Sequence, residues 1–182
     1  TDSTCTGWFT DNWLSIIREN RLYKLRARSV VACTGILEQP SLFRANDLPG
    51  ILFGGAAQRL VRNYGVKPGR RAVVLASNRD GYGLALDLAE SGVEVAAIVD
   101  TRGDLSTDPL TQAARDRGMR IMAGFAVAEA KARPDKLHLA AVMVARTAGP
   151  GSLADERERI DCDLLCVSTG STPAAGLLCQ AG

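Results

Sequence analysis

The residues with the clearest potential for chemistry lie in one short turn, residues 76–81, which reads ASNRDG. A G-x-G-x-x-G turn between a strand and a helix binds the pyrophosphate of a dinucleotide, because its glycines allow a tight turn, close approach of the phosphates and close helix–strand packing. The three glycine positions are filled here by Ala76, Asn78 and Gly81, so only the packing glycine is kept. The Asn78 side chain crowds the phosphate position, while the N–H groups of the helix start remain. The turn therefore predicts a modified dinucleotide site with these contacts: Ala76, Ser77, Asn78, Asp80 and Gly81.

An acidic residue follows at the distance expected for ribose recognition. Asp100 closes the next apolar run, about twenty residues beyond the turn, where a carboxylate hydrogen-bonds the ribose hydroxyl pair. Arg102 stands close by and could instead meet the 2′-phosphate of NADP. Because the acid ends the strand itself, the pattern favours NAD over NADP. Two alternatives stay open: a solvated Asp100 that only caps a loop, and a strand–helix–strand unit that binds no ligand.

Two Thr-Gly pairs end apolar runs on either side of this unit. Thr34-Gly35 follows one run and Thr169-Gly170 follows another. Small residues at the end of a strand let a nucleotide lie close to the backbone. One such pair is also common where a strand simply enters a turn, but two pairs flanking the same unit favour nucleotide binding.

The remaining composition excludes several other functions. The net charge of +2 comes from dispersed Lys and Arg, which argues against a nucleic-acid partner. No apolar run reaches the ~20 residues of a membrane-spanning helix. The single histidine, His138, and five cysteines without a C-x-x-C pair predict no metal site and no catalytic residue. We expect a cytoplasmic protein with reduced cysteines.

The elements that must position these residues predict an α/β fold: a Rossmann-like nucleotide-binding domain with a parallel sheet and an inserted β-meander, preceded by the end of a first nucleotide-binding domain. Apolar runs predict buried strands at 30–33, 72–76, 93–99, 119–123 and 163–167. Alternation of apolar and charged residues predicts a half-exposed strand at 21–26. Helical spacing predicts helices at 54–64, 81–91 and 109–118. Gly65 is the predicted left-handed C-cap of the first helix, and Asp108 is the predicted N-cap of the last. The meander is predicted from short strands at 126–133, 136–146 and 156–160, and loops are predicted at 36–53 and 147–155.

These elements suggest three segments of chain. Residues 1–53 read as the C-terminal part of a first FAD- or NAD-binding lobe, with a β-meander and a crossing loop. Residues 54–170 read as a second dinucleotide-binding domain, and residues 171–182 as a return into the first lobe. The chain has no initiator Met and stops within a helix-like run, so we expect a fragment of a longer polypeptide.

Several motifs resemble the flavoproteins with two dinucleotide-binding domains, the glutathione-reductase-like group. The closer resemblance is to the alpha subunits of heterotetrameric sarcosine oxidases. Its most specific parts are the segment Asn46-Asp47-Leu48-Pro49-Gly50 and the altered turn at 76–81. The other segments that carry it are residues 26–35, 38–40, 43–45, 63–66, 68–74 and 163–170.

The resemblance implies a place in a complex that oxidises N-methylated glycine with flavins and releases hydrogen peroxide. It implies a bound NAD on the alpha subunit, with FAD possible, and the other subunits of the oxidase as partners. It leaves open whether NAD sits on residues 76–100 or on a first glycine-rich turn outside this sequence, and it implies that the isolated fragment is inactive. Two alternatives are a structural or assembly module with a decayed nucleotide site, and a subunit of an opine or cyanide-forming dehydrogenase.

Overall fold

The computed structural model describes residues 2–105, 108–135 and 137–181, which fall into two compact units. The first unit comprises residues 2–37 and 171–181, and the second comprises residues 38–170. Three positions named above lie outside the described residues: Lys136, the predicted start of a strand, and the predicted domain limits Thr1 and Gly182.

An antiparallel meander forms the main sheet of the first unit. Its strands are β1 (Thr4–Phe9), β2 (Trp13–Arg18) and β3 (Arg21–Arg26), which pair in that order. The alternation of apolar and charged residues that predicts β3 is confirmed. Every residue of β3 is exposed, so the meander presents much of its surface to solvent.

The strand predicted at residues 30–33 is wrong. Val31 is 84% exposed, and Cys33, predicted to lie in a buried strand, is exposed too. A strand needs a neighbour that pairs with its backbone groups. No strand of the described residues pairs with this run, so its apolar composition alone does not produce a strand.

A parallel sheet of five strands organises the second unit. Its elements, with those that complete the chain, are β4 (Ile36–Glu38), β5 (Ile51–Phe53), α1 (Gly54–Tyr64), β6 (Arg71–Ala76), α2 (Asp80–Glu90), β7 (Glu94–Asp100), α3 (Pro109–Asp116), β8 (Ile121–Ala123), β9 (Phe125–Ala132), β10 (Leu139–Gly149), β11 (Ser152–Asp161), β12 (Leu164–Ser168), β13 (Ser171–Pro173) and α4 (Gly176–Ala181). The sheet order is β5-β12-β6-β7-β8, and its neighbours are parallel. From β6 the chain adds β7 and then β8 on one side, and β12 later pairs with the other side of β6. Ligands of such sheets bind at this switch point, beyond the carboxyl ends of the strands.

The loop predicted at residues 36–53 is wrong at both of its ends. β4 pairs with β13, and β5 joins the edge of the parallel sheet beside β12. The Leu165 N–H donates to the Gly50 carbonyl at 2.8 Å, which begins this pairing. Residues 51–53 are Ile-Leu-Phe, and they form an edge strand because β12 offers them both backbone partners and an apolar neighbour.

The inserted β-meander is longer than its predicted strands. β9, β10 and β11 form an antiparallel sheet, as predicted, but β10 and β11 continue through most of the predicted loop at 147–155. Thr147 lies opposite Leu153, and Gly149 lies opposite Ser152. Gly149 and Gly151 have φ angles of 154° and 71°, so these glycines form a tight turn where the composition suggested an open loop.

Two apolar cores lie on the opposite faces of the parallel sheet. Val73 and Leu75 of β6 face the core shared with the inserted meander, whereas Val74 and Ala76 face the core shared with the helices. Successive side chains of a strand point to opposite faces, so a strand covered on both faces is apolar at every position. This explains why the run at 72–76 predicts a buried parallel strand correctly.

Capping residues fix the ends of two helices as predicted. Asp108 accepts hydrogen bonds from the N–H groups of Leu110 at 2.9 Å and Thr111 at 3.2 Å, and Pro109 occupies the first helical position of α3. Gly65 ends α1 in the left-handed conformation, with φ of 63°.

A buried carboxylate ties the first two helices of the second unit together. The Asp87 side chain on α2 is 6% exposed and accepts hydrogen bonds from Arg62 and Gln58 on α1. Burial alone would raise the pKa of Asp87, but the hydrogen bonds from Arg62 and Gln58 and the charge of Arg62 outweigh it, so the pKa is lowered. The carboxylate is therefore held in its charged form.

We expect the Asp87→Asn variant to lose about 1–2 kcal/mol of unfolding free energy at pH 7, because the charged hydrogen bonds to Arg62 are weakened. A lowered pKa contributes stability above the unfolded value of about 4, and that contribution is lost as the pH falls further. Denaturant unfolding between pH 7 and pH 2 should therefore show wild type and variant converging in acid. Parallel curves over this range would contradict the prediction, and the exposed Asp104→Asn is the matched control.

Candidate functional site

The candidate site lies beyond the carboxyl ends of β6, β7 and β12, where α2 begins. The structure brings six of the ten predicted contact residues together here: Ala76, Ser77, Asn78, Asp80, Gly81 and Asp100. Five of them lie together because β6 ends at Ala76 and α2 starts at Asp80, with the turn between them. Asp100 ends β7 and pairs with Ala76 in the parallel sheet. The local strand–turn–helix–strand arrangement is the one predicted from the sequence.

The Asn78 side chain closes the turn. Its Oδ1 accepts hydrogen bonds from the N–H groups of Asp80 at 3.1 Å and Gly81 at 3.4 Å. The same atom lies 3.2 Å from the Ser168 hydroxyl at the end of β12, which donates to it. Asn78 Oδ1 thus accepts three hydrogen bonds: two from N–H groups at the start of α2 and one from the Ser168 hydroxyl at the end of β12.

Gly81 performs the packing role of the third motif glycine. A Cβ added at Gly81 would lie 2.6 Å from the Cβ of Ala76, closer than real carbon contacts allow. Ala76 itself is completely buried. The helix therefore packs on the strand end as closely as a dinucleotide-binding unit requires, with the Ala76 methyl group where the motif has its first glycine.

The turns that follow β6, β7 and β12 are joined directly to one another. The Ser77 N–H donates to the Ser168 carbonyl at 3.0 Å, and the Thr101 N–H donates to the Ala76 carbonyl at 3.0 Å. The hydroxyls of Ser77 and Thr101 are 2.7 Å apart and share a hydrogen bond. The two backbone bonds extend the parallel pairing of β6 with β12 and with β7 by one residue beyond the strand ends.

Asp100 is completely buried, and its carboxylate already has four donors. Oδ1 accepts from the Arg102 N–H at 2.9 Å and from Arg102 Nε at 3.0 Å. Oδ2 accepts from the Tyr82 hydroxyl at 2.7 Å and from Arg102 Nη2 at 2.8 Å. Burial and the hydrogen bond to Asp100 raise the pKa of Tyr82, so its hydroxyl keeps its proton and donates. The hydrogen bond to Asp100 also raises the pKa of Arg102.

The two Thr-Gly pairs have their own partners. The Thr34 hydroxyl donates to the Ala174 carbonyl at 2.6 Å, and the Thr169 hydroxyl donates to the Gln39 carbonyl at 3.2 Å. Gly35 and Gly170 have φ angles of 79° and 148°, and an added Cβ would meet nothing within 4 Å at either position. Thr34-Gly35 belongs to the first unit and Thr169-Gly170 to the second.

Sequence reasoning missed two residues of this network, Tyr82 and Ser168, and gave Arg102 a different role. Tyr82 is a completely buried aromatic residue, Ser168 bonds the turn, and Arg102 is the main partner of Asp100 rather than a free cation. Tyr82 could have been detected from the sequence, because it shares its helical spacing with the apolar residues Ala85 and Leu88 and should therefore face the core. A buried tyrosine hydroxyl usually has a hydrogen-bond partner, so its position predicts one.

The described residues contain no group of three or more His, Cys, Asp or Glu side chains arranged to hold a metal ion. All five cysteines are free; burial raises the pKa of Cys162 and Cys166 to about 12, and Cys5, Cys33 and Cys179 are exposed. Within the part of the chain that the structure describes, no helix is long and apolar enough to cross a membrane.

The sequence matches no protein-family model. It is 35% identical over 164 residues to sarcosine oxidase subunit alpha from Corynebacterium sp. strain P-1, a match that covers 90% of this chain. The chain is homologous to part of sarcosine oxidase subunit alpha. It spans 16% of the length of that relative. The resemblance given by the sequence motifs is thereby confirmed.

The fold of this sarcosine oxidase homologue is found in flavoprotein reductases. Thioredoxin reductase from T. acidophilum superposes with a TM-score of 0.72 at 14% identity, covering 99% of this chain and 56% of that one. A FAD-dependent pyridine nucleotide-disulphide oxidoreductase from Desulfovibrio vulgaris gives a TM-score of 0.67 at 17% identity, covering 100% of this chain and 46% of that one. At these identities the likeness shows the fold alone, and it confirms the predicted Rossmann-like α/β class. The homologous relative and these two structures are all oxidoreductases by name.

Proposed function

We propose that the chain is a segment of the alpha subunit of a sarcosine oxidase-type complex, a flavin-dependent oxidoreductase that acts on CH–NH bonds. The observation that carries this proposal is the 35% identity to a sarcosine oxidase alpha subunit over 164 residues, which spans most of the chain. Residues 38–170 contribute a domain of dinucleotide-binding fold to that subunit, and residues 2–37 with 171–181 belong to its first nucleotide-binding lobe. The catalytic groups lie elsewhere in the complex.

The cofactor proposed for the subunit is NAD, with FAD as the alternative. The flavoprotein fold supports a nucleotide cofactor in general. The two Thr-Gly pairs remain the proposed nucleotide contacts of this chain. Gly35 and Gly170 present backbone that no side chain covers, since an added Cβ at either would face open space.

A segment exchange tests this function. We expect that the alpha subunit of the Corynebacterium strain P-1 enzyme, with its matching 164 residues replaced by those of this chain, still assembles with its other subunits and oxidises sarcosine. Shared ancestry over both units preserves the surfaces that the rest of the complex contacts. Hydrogen peroxide release and size-exclusion chromatography measure the two outcomes.

The matched control is the same exchange with the corresponding segment of T. acidophilum thioredoxin reductase, which shares the fold at 14% identity. That control should neither assemble nor oxidise sarcosine. A well-folded exchange protein that behaves like the control would contradict the proposed function. Activity on a different secondary amine would favour an opine or cyanide-forming dehydrogenase subunit instead.

The second candidate function is a structural or assembly module without a ligand. The network around Asn78 and Asp100 favours it, because the groups that would recognise a nucleotide already bond one another. This candidate agrees with the same complex and differs only in what residues 38–170 bind.

A further inference from the structure

We infer that the turn at 76–81 and Asp100 hold no dinucleotide, because groups of the chain itself occupy the positions of the pyrophosphate and of the ribose hydroxyls. The fold implies a dinucleotide at this place, and the residues present do not fit one. The inference goes beyond the proposed function, which assigns a cofactor to the subunit and not to this turn.

The pyrophosphate position is filled by the Asn78 side chain. In a dinucleotide-binding turn the N–H groups at the helix start point at phosphate oxygens. Here the N–H groups of Asp80 and Gly81 point at Asn78 Oδ1, at 3.1 and 3.4 Å. The Ser168 hydroxyl donates to the same oxygen. An amide oxygen with three donors therefore stands where a phosphate oxygen would otherwise be bound.

The ribose position is filled by Tyr82 and Arg102. A carboxylate recognises a ribose by accepting bonds from its hydroxyl pair. Each oxygen of Asp100 already accepts two hydrogen bonds, and no part of the residue is exposed. A ribose would have to displace the Tyr82 hydroxyl, which is completely buried, and break the paired contacts of Arg102. The first loss leaves a buried hydroxyl unsatisfied, and the second removes the ion-pair partner of Arg102, whose side chain is 32% exposed.

The turn carries one charge of each sign, Arg79 and Asp80, so it offers no net positive charge to a phosphate. Asp80 is an exposed carboxylate in the first turn of α2, where it interacts favourably with the helix dipole and repels a second anion. The other two helix starts of the second unit are likewise capped from within. Glu38 Oε1 accepts from the Gly55 N–H of α1 at 2.9 Å, and Asp108 caps α3.

A binding experiment on the whole chain tests the inference. The backbone N–H resonances of Asp80, Gly81 and Arg102 are followed by NMR while NAD is added to millimolar concentration. In the wild type these three resonances should not shift. Asn78→Gly restores the second motif glycine and frees two N–H groups, so NAD should then shift Asp80 and Gly81 with at least about ten-fold higher affinity than in the wild type.

Asn20→Gly, in the exposed turn between β2 and β3, is the matched control and should behave as the wild type does. Thermal unfolding followed by circular dichroism establishes that each variant is folded. Saturable shifts at Asp80, Gly81 and Arg102 in the wild type would overturn the inference. A folded Asn78→Gly variant without any gain would equally overturn the role given to Asn78. Either result is independent of whether the exchanged subunit oxidises sarcosine.

Discussion

Replacing Asp100 by alanine is expected to lower the free energy of unfolding by about 2–4 kcal/mol. The change removes the acceptor of the buried Tyr82 hydroxyl and the ion-pair partner of Arg102. The hydroxyl is left without a partner in the core. The Arg102 side chain is 32% exposed and regains some hydration, which keeps the loss below that of a fully buried pair. Urea unfolding followed by circular dichroism at pH 7 measures the difference.

Asp104→Ala, four residues further along the chain and exposed, is the matched control and should change the stability by no more than about 0.5 kcal/mol. Asp100→Asn should lose less than Asp100→Ala, because the amide oxygen still accepts hydrogen bonds. Equal stability of Asp100→Ala and wild type would show that the carboxylate is not tied into the core. It would also contradict the inference that Tyr82 and Arg102 occupy the ribose position beside Asp100.

Replacing Gly50 by alanine is expected to cost about 2–4 kcal/mol of unfolding free energy. Gly50 has φ of +105°, a conformation that residues with a side chain rarely adopt. An added Cβ would also lie 2.7 Å from the Asp163 carbonyl oxygen and 3.0 Å from the Leu139 Cβ. The carbonyl belongs to the backbone next to β12, so it cannot move aside as a flexible side chain would. Thermal and denaturant unfolding give the measurement.

Gly151→Ala separates backbone strain from steric overlap. Gly151 has φ of +71°, but an added Cβ there meets nothing within 4 Å. We expect this control to lose only the strain of the left-handed conformation, about 1–2 kcal/mol. If Gly50→Ala lost no more unfolding free energy than Gly151→Ala, the close approach of Gly50 to Asp163 and Leu139 would contribute nothing to the destabilisation.

The arrangement of the second unit could be predicted from the sequence because its signals are local. The apolar run at 72–76, the helical spacing after Gly81 and the apolar run that ends at Asp100 each form the element that their pattern predicts. Gly65 and Asp108 mark helix ends through their own backbone and side-chain chemistry, and both assignments are confirmed.

The failures have a common physical origin in partners that are distant in sequence. Residues 30–33 have the composition of a buried strand, yet no described strand pairs with them. Residues 51–53 form β5 only because β12 lies beside them, more than a hundred residues later. Whether a strand forms is decided by its neighbour, and a pattern of single residues does not contain that information.

The predicted contact residues of the turn and Asp100 lie together in the structure, but the bonding among them was not visible in the sequence. The motif spacing identifies Asn78 and Asp100 as the residues at the phosphate and ribose positions. It does not show that Ser168 reaches Asn78 or that Tyr82 and Arg102 surround Asp100, since those contacts depend on the packing of β12 and α2 against the strand ends. The spacing therefore predicts nucleotide contacts at Asn78 and Asp100, whereas the bonds that these two residues make are the basis for inferring that they hold no dinucleotide.

The bonds that join the turns after β6, β7 and β12 bear on how the proposed subunit would be assembled in a cell. A domain that binds its cofactor gains stability in proportion to the logarithm of the free cofactor concentration, so its folded fraction follows the cellular supply. A turn filled by the amide of Asn78 gains nothing from that supply. Residues 38–170 would then be equally stable in cells rich or poor in NAD, and could present a finished surface to partner subunits before any cofactor arrives.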